Sequence, residues 1–393
     1  MSASDAHSDC RNLVRLNGLE APALCLGNAL GGCGPATIAL WVAAMIKTGP
    51  LSTSQVGWLA SGELFAMAIG ALAVSMYGKH GRPRWVAAIA ALAIVTSNVI
   101  AMFPAVHLVI IGRLLSGLAM GALMASVTGV AARRQNAERL LALMQAGTVL
   151  LVSMIYLVSP ILIGRFGPSG LFGILAVAGG VMMVAALLGL PAVVVALGVT
   201  RIAATQKLAP LLGCLALAVV LVGHSTVWTY IIAIGNGFGF DARTIGIVLA
   251  IAPPLALLGP VGAHILGQRV GLFWPLVADL ALLTADILLL VNATSPILFC
   301  ICTATLQMAL MFCIPYAIAL LGRLDTSGRF ASAAPAFMMV GGAAGPALGS
   351  KMIGATGFHA LALVAVSCIA VGIALFSVAA GLGAGFRWRR AVS

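Results

Sequence analysis

The sequence predicts an all-α membrane protein of twelve transmembrane helices in two pseudo-symmetric six-helix bundles. Three observations predict it. First, 62% of the 393 residues are hydrophobic and only 8% are charged, whereas soluble domains carry about 25% charged residues. Second, the apolar residues fall into twelve runs, each near the roughly 20 residues that a bilayer-spanning helix needs. Third, the chain repeats itself at one offset. Gly57 and Gly246, Gly70 and Gly259, Gly78 and Gly267, and Trp85 and Trp274 are each 189 residues apart, which argues for two homologous halves. In a chain with 46 glycines the tryptophan pair carries most of that weight.

Taken in order, the runs cover 22–46, 54–77, 85–103, 106–132, 138–165 and 169–196, then 208–235, 242–267, 272–292, 296–321, 328–355 and 358–384. The domain organisation follows: a polar tail over 1–21, one bundle over 22–196, a short linker over 197–207, a second bundle over 208–384, and a basic tail over 385–393. The first run is long enough to span and leads directly into the bundle, so it reads as a retained helix rather than a cleaved leader. The last two runs are separated only by the Gly354–Gly357 stretch.

Charge sets the orientation. With the N-terminus inside, the cytoplasmic segments hold Arg11, Arg15, Lys79, Arg82, Arg84, Arg133, Arg134, Arg139, Arg201, Lys207, Arg269, Arg323, Arg329, Arg387, Arg389 and Arg390. The outer ends hold Lys47, Arg165, Arg243 and Lys351, and Arg113 lies within a run. Basic residues favour the cytoplasmic side, so both termini are expected there, in a multi-pass protein of the inner (plasma) membrane. The same scatter, in ones to threes between apolar runs, makes the net charge of +12 a topology signal and not a nucleic-acid footprint.

Little points to catalysis or a bound group. There is no HExxH, GxSxG or GxxxxGKS motif, so no enzyme activity, cofactor or metal is expected. The eight cysteines contain no CxxC pair, and all but Cys10 sit in apolar runs, where they read as small buried hydrophobes.

Ionisable residues inside the runs are costly in hydrocarbon and are functional hypotheses by default. They are Glu63, Arg113, His224, Asp279 and Asp286, and all five are coupling candidates. Glu63 and Arg113 lie at similar depths on runs of the same direction, nine and seven residues in. They suit either a structural ion pair or a proton- or substrate-sensitive one. Asp279 and Asp286 are seven apart and share a helix face, for a structural or a coupling role. His224 has Ser225, Thr226 and Trp228 beside it, and a histidine titrates near neutral pH; plain packing is its alternative. Asn28, Gln145, Trp228, Tyr230 and Gln307 are candidates for a polar cavity wall, since amides in a membrane interior need partners. Asn98 reads as a packing hydrogen bond. His107, His264 and His359 read as interfacial. The Gly/Pro-rich first, eighth and eleventh runs suit close packing or bending.

These features resemble the major facilitator superfamily over nearly the whole chain. Between the second and third runs, Gly78-Lys79-His80-Gly81-Arg82-Pro83-Arg84 is similar to the family's G-x-x-x-D-R/K-x-G-R-R/K at Lys79, Gly81 and Arg82, with Gly78 where the family has Asp. Arg113-Leu114-Leu115-Ser116-Gly117 through Gly121 resembles its R-x-x-x-G-x-x-x-G, with Arg113 as the buried cation. Its antiporter motif is reduced here to Ser159-Pro160 and Gly164, while Gly345-Pro346-Ala347-Leu348-Gly349 is better preserved. The run Trp228-Thr229-Tyr230-Ile231, followed by Gly246, resembles bacterial drug and sugar efflux members. The resemblance implies a monomeric secondary active transporter in the lipid bilayer. It would move a small organic solute by alternating access, coupled to protons, with export favoured. Gly78, Lys79, Gly81, Arg82, Gly345, Pro346 and Gly349 would be its conformational motifs. A uniporter or importer of a small metabolite, a membrane-embedded lipid-handling enzyme and a non-transporting receptor are the alternatives.

Overall fold

The computed structural model describes residues 18–48, 51–77, 82–131, 134, 137–192, 208–266, 271–325 and 329–391. Among them the secondary structure is entirely helical. The first six helices are α1 (Glu20–Thr48), α2 (Thr53–Tyr77), α3 (Pro83–Ala101), α4 (Val106–Ala131), α5 (Ala137–Phe166) and α6 (Pro168–Gly189). The remainder are α7 (Leu208–Thr229), α8 (Ile231–Gly237), α9 (Ala242–Ala256), α10 (Leu258–Leu266), α11 (Phe273–Leu290), α12 (Pro296–Leu324), α13 (Arg329–Thr356) and α14 (Phe358–Ala391).

Eleven spans among the described residues are long and apolar enough to cross a membrane. The eleventh expected run, α13, is long at 28 residues, but its glycine, alanine, serine and proline dilute its hydropathy. Two expected runs are each broken into two helices. In the eighth, Pro253 and Pro254 lie near the end of α9, where proline lacks an N–H and crowds the carbonyl four residues back. The helix ends there, and Leu257 N–H donates to Pro254 O in a tighter turn. In the seventh, Tyr230 leaves helical geometry at φ −107° and ψ 13°. Gly357 confirms the turn between the last two runs. Its φ of +83° is a left-handed conformation open to glycine at little cost. Gly167, at φ +62°, separates α5 from α6 in the same way. The helix of α14 continues through 385–391, into the stretch expected as a tail.

The side-chain pattern is that of a membrane protein. On α3, the small residues Ala87, Ala88, Ala90 and Ala91 are buried, whereas Ile89, Leu92 and Val99 are exposed. Small residues let helices approach, and large apolar ones can face lipid.

The chain divides into two compact units. The first comprises Met1–Ala36, Ala66–Val152 and Leu171–Leu197, with Leu24, Leu30, Ile94, Met120 and Phe172 in its core. The second comprises Thr37–Phe65, Ser153–Gly170 and Gly198–Ser393, with Trp41, Tyr156, Tyr230, Phe299 and Phe376 buried in it.

The same close approach occurs in each unit. In the first, a Cβ on Gly70 of α2 would lie 2.0 Å from Leu118 O of α4, and one on Gly121 of α4 would lie 1.9 Å from Met67 O. In the second, a Cβ on Gly259 of α10 would lie 2.4 Å from Met308 O of α12. The glycines are 189 residues apart and their partners 190, so the sequence repeat marks a repeated helix contact. Trp85 and Trp274 also occupy like positions, each within three residues of the start of its helix, α3 or α11.

Candidate functional site

Polar residues gather at several places inside the helices. In the first unit, Arg113 of α4 is fully buried. Its Nη1 donates to Asn98 Oδ1 of α3 at 3.1 Å, and its guanidinium lies 5.0 Å from the Phe172 ring centroid of α6. Asn98 is held in turn: its Nδ2 donates to Ile94 O at 2.8 Å and to Ser116 Oγ at 3.3 Å. A guanidinium carries five donors and no acceptor, so burying it takes several acceptors, and Arg113 makes a further interaction beyond Asn98 and Phe172. Asn98 therefore does more than pack, because its carbonyl orients Arg113. Sequence reasoning missed Phe172 altogether, since an aromatic in an apolar run carries no signal of its own. Glu63 is 1% exposed and belongs to the second unit.

Also in the first unit, Asn28 of α1 donates through Nδ2 to Thr148 Oγ1 of α5 at 2.8 Å and to Met144 O at 3.4 Å. Its amide is tied into helix packing, while Gln145, one residue from Met144, is exposed. A contact not foreseen joins Glu20, at the start of α1, to Arg134, just beyond α4. Both Nε and Nη2 of Arg134 donate to Glu20 Oε1. Arg134 was legible only as a topology charge, because its partner lies 114 residues away.

In the second unit, α7 presents His224 to α12, where His224 Nε2 and Gln307 Oε1 lie 3.0 Å apart. If Nε2 carries the ring proton, His224 donates and Gln307 accepts. One turn on, Trp228 stacks with the imidazole, with centroids 6.3 Å apart and planes inclined by 16°. Three of the sequence candidates are thereby brought together. Tyr230 is fully buried, with its hydroxyl donating to Pro346 O of α13 at 2.8 Å.

The glycines of α13 form the bed for α7. A Cβ on Gly345 would lie 1.9 Å from Ser225 Oγ, and one on Gly349 would lie 2.7 Å from the Tyr230 ring. Thr226 Oγ1 reaches Gly345 O at 3.2 Å. On the other side, Ser61 Oγ of α2 accepts from Ala347 N–H at 2.9 Å. Gly345, Pro346 and Gly349 are thus a contact surface. Arg82 precedes α3 and caps it without a side-chain bond, and Arg84 Nε donates to Leu190 O beyond α6 at 2.8 Å. Gly78, Lys79 and Gly81 lie outside the described residues, as does the side chain of His264.

A further place is the seam between α11 and α12. Asp279 and Asp286 are both buried on α11, and Thr305 Oγ1 donates to Asp286 Oδ1.

The sequence matches no protein-family model and no curated protein. The fold does match solved structures. The crystal structure of a D-xylose-proton symporter superposes with a TM-score of 0.68 at 15% identity, covering 90% of this chain and 96% of that one. The chain has the major facilitator fold. It is a multi-pass membrane protein, and the structure it matches is a transporter rather than an enzyme.

Proposed function

We propose that this chain is a secondary active transporter that moves a small organic solute by alternating access, coupled to protons, with export favoured. The observation that carries this reading is the fold match over 90% of the chain to a protein named as a proton symporter. Fold alone does not define function, so the buried clusters matter too. His224, Gln307 and Trp228 offer a hydrogen-bonding amide, a titratable ring and an aromatic face, which suits an uncharged polar solute. Arg113, held by Asn98, and the buried Glu63 supply the coupling charges in this reading. Asn28, Gln145 and Tyr230 remain candidates for solute contact in this reading, and the glycine contacts at Gly345, Pro346 and Gly349 are the surface on which helices shift. The two halves are 22–196 and 208–384, joined by the 197–207 linker. The distribution of Lys and Arg supports both termini on the cytoplasmic side, and in this reading the chain acts as a monomer in the inner membrane.

The test begins with a thermal-shift screen of the purified protein against metabolite and drug libraries. Each stabilising compound then goes into proteoliposomes containing a pH-sensitive dye. A solute gradient is expected to drive proton flux, and a proton gradient to drive solute accumulation. His224→Ala and Gln307→Ala should weaken binding of the solute. Compounds that bind yet move neither themselves nor protons would overturn the reading in favour of a receptor.

A further inference from the structure

We propose that the seam between α11 and α12 is a proton-binding site built from two buried aspartates, separate from the His224–Gln307 cluster. Asp279 is 8% exposed and Asp286 is 5% exposed. In each, the Oδ2 atom is buried and has no hydrogen-bond partner among the described residues. Thr305 and Cys302 of α12 face Asp286, and Cys313 of α12 faces Asp279. From the first rung to the second, the chain moves seven residues back along α11 and eight residues on from Thr305 along α12. That is the register of two antiparallel helices, so both acids face one partner helix.

An ionised carboxylate in a low-dielectric interior is expensive unless it is paired and fully hydrogen-bonded. Among the described residues no cation is paired with either carboxylate. From α12 the facing groups are the two thiols and the Thr305 hydroxyl, and Arg323 is exposed near that helix's end. From α14, which also packs on α11, Cys368 lies against Gly223 of α7, and His359 is exposed and bonded to Asn292 of the α11 end. Thr305 donates to one oxygen of Asp286 and leaves the other bare. A proton on the bare Oδ2 removes the buried charge without any further ligand, and the same holds for Asp279. The site is distinct in direction as well. Thr305 and Gln307 are two residues apart on α12, about 200° around the helix axis, so α12 turns one polar residue to α11 and another to α7.

The test uses the full chain in lipid and requires no solute, so its outcome is independent of the transport reading. The chain has only nine Asp and Glu residues, which makes an infrared pH titration of carboxyl groups assignable. The expected result is a carboxylic-acid carbonyl band that persists at neutral pH, where solvated carboxyls have ionised. Asp279→Asn and Asp286→Asn should each remove a separate share of it. Thr305→Val, which removes a neutral hydroxyl, should move the midpoint of the Asp286 share and leave the Asp279 share in place. This arm retains its meaning if an Asn variant folds poorly, and a merely structural role would not move it. Absence of the band in the folded wild type, a band untouched by both Asn variants, or a midpoint unchanged by Thr305→Val would each overturn the proposal.

Discussion

Removing Arg134 should expose the energetic role of the unforeseen contact with Glu20. Their side chains are 12% and 3% exposed, and two guanidinium N–H groups converge on one carboxylate oxygen. Arg134→Met leaves a carboxylate buried without its partner, a change that typically costs about 3–5 kcal/mol. Glu20→Leu removes the carboxylate from Arg134, but Arg134 is the more exposed member and can turn towards water, so its loss belongs at about 3 kcal/mol, the low end of that range. Glu20→Gln keeps an acceptor for the guanidinium and loses only charge assistance, about 1–2 kcal/mol. The double variant Glu20→Leu with Arg134→Met removes both charges and should cost about 0–1 kcal/mol. Independent residues would instead give losses that add to about 6–8 kcal/mol. Reversible unfolding in mixed micelles, followed by circular dichroism as the denaturing detergent fraction rises, measures all four. Additive losses with no rescue in the double variant would refute the reasoning.

Two further outcomes follow from the packing and the buried charges. Gly70→Val and Gly259→Val should each sharply lower folded yield, because the new Cβ would meet backbone oxygen at 2.0 and 2.4 Å, and overpacking costs about 1–3 kcal/mol or more. Gly164→Ala, with nothing within 4 Å of the new Cβ, should leave yield on size-exclusion chromatography unchanged. For the proposed Glu63–Arg113 pair, Glu63→Gln and Arg113→Met should each destabilise, and Glu63→Leu with Arg113→Met should recover stability. A coupling role predicts that the recovered protein loses pH-driven accumulation, whereas restored transport would mark the pair as structural.

The sequence alone determined the helical membrane class and where the long apolar runs fall, because both depend on local quantities. Apolar run length sets what can cross a bilayer, and the placement of Lys and Arg sets the expected orientation. Gly357 was legible as a turn because its backbone requirement is local, and Gly70 with Gly259 was legible as a repeat because the same contact recurs. Which polar residues would meet was not legible. Asn98 bonds Arg113 across two helices, His224 bonds Gln307 over 83 residues of chain, and Glu20 bonds Arg134 over 114. The break at Tyr230 was also hidden inside a continuous apolar run, whereas the prolines of the eighth run signalled a bend without fixing the break at Leu257. Hydropathy records how well a residue tolerates lipid, but not the rotation of its helix or the neighbour it faces. Only tertiary packing sets those, and so only packing decided that Tyr230 bonds Pro346 while Asp279 and Asp286 each keep a carboxyl oxygen without a partner among the described residues.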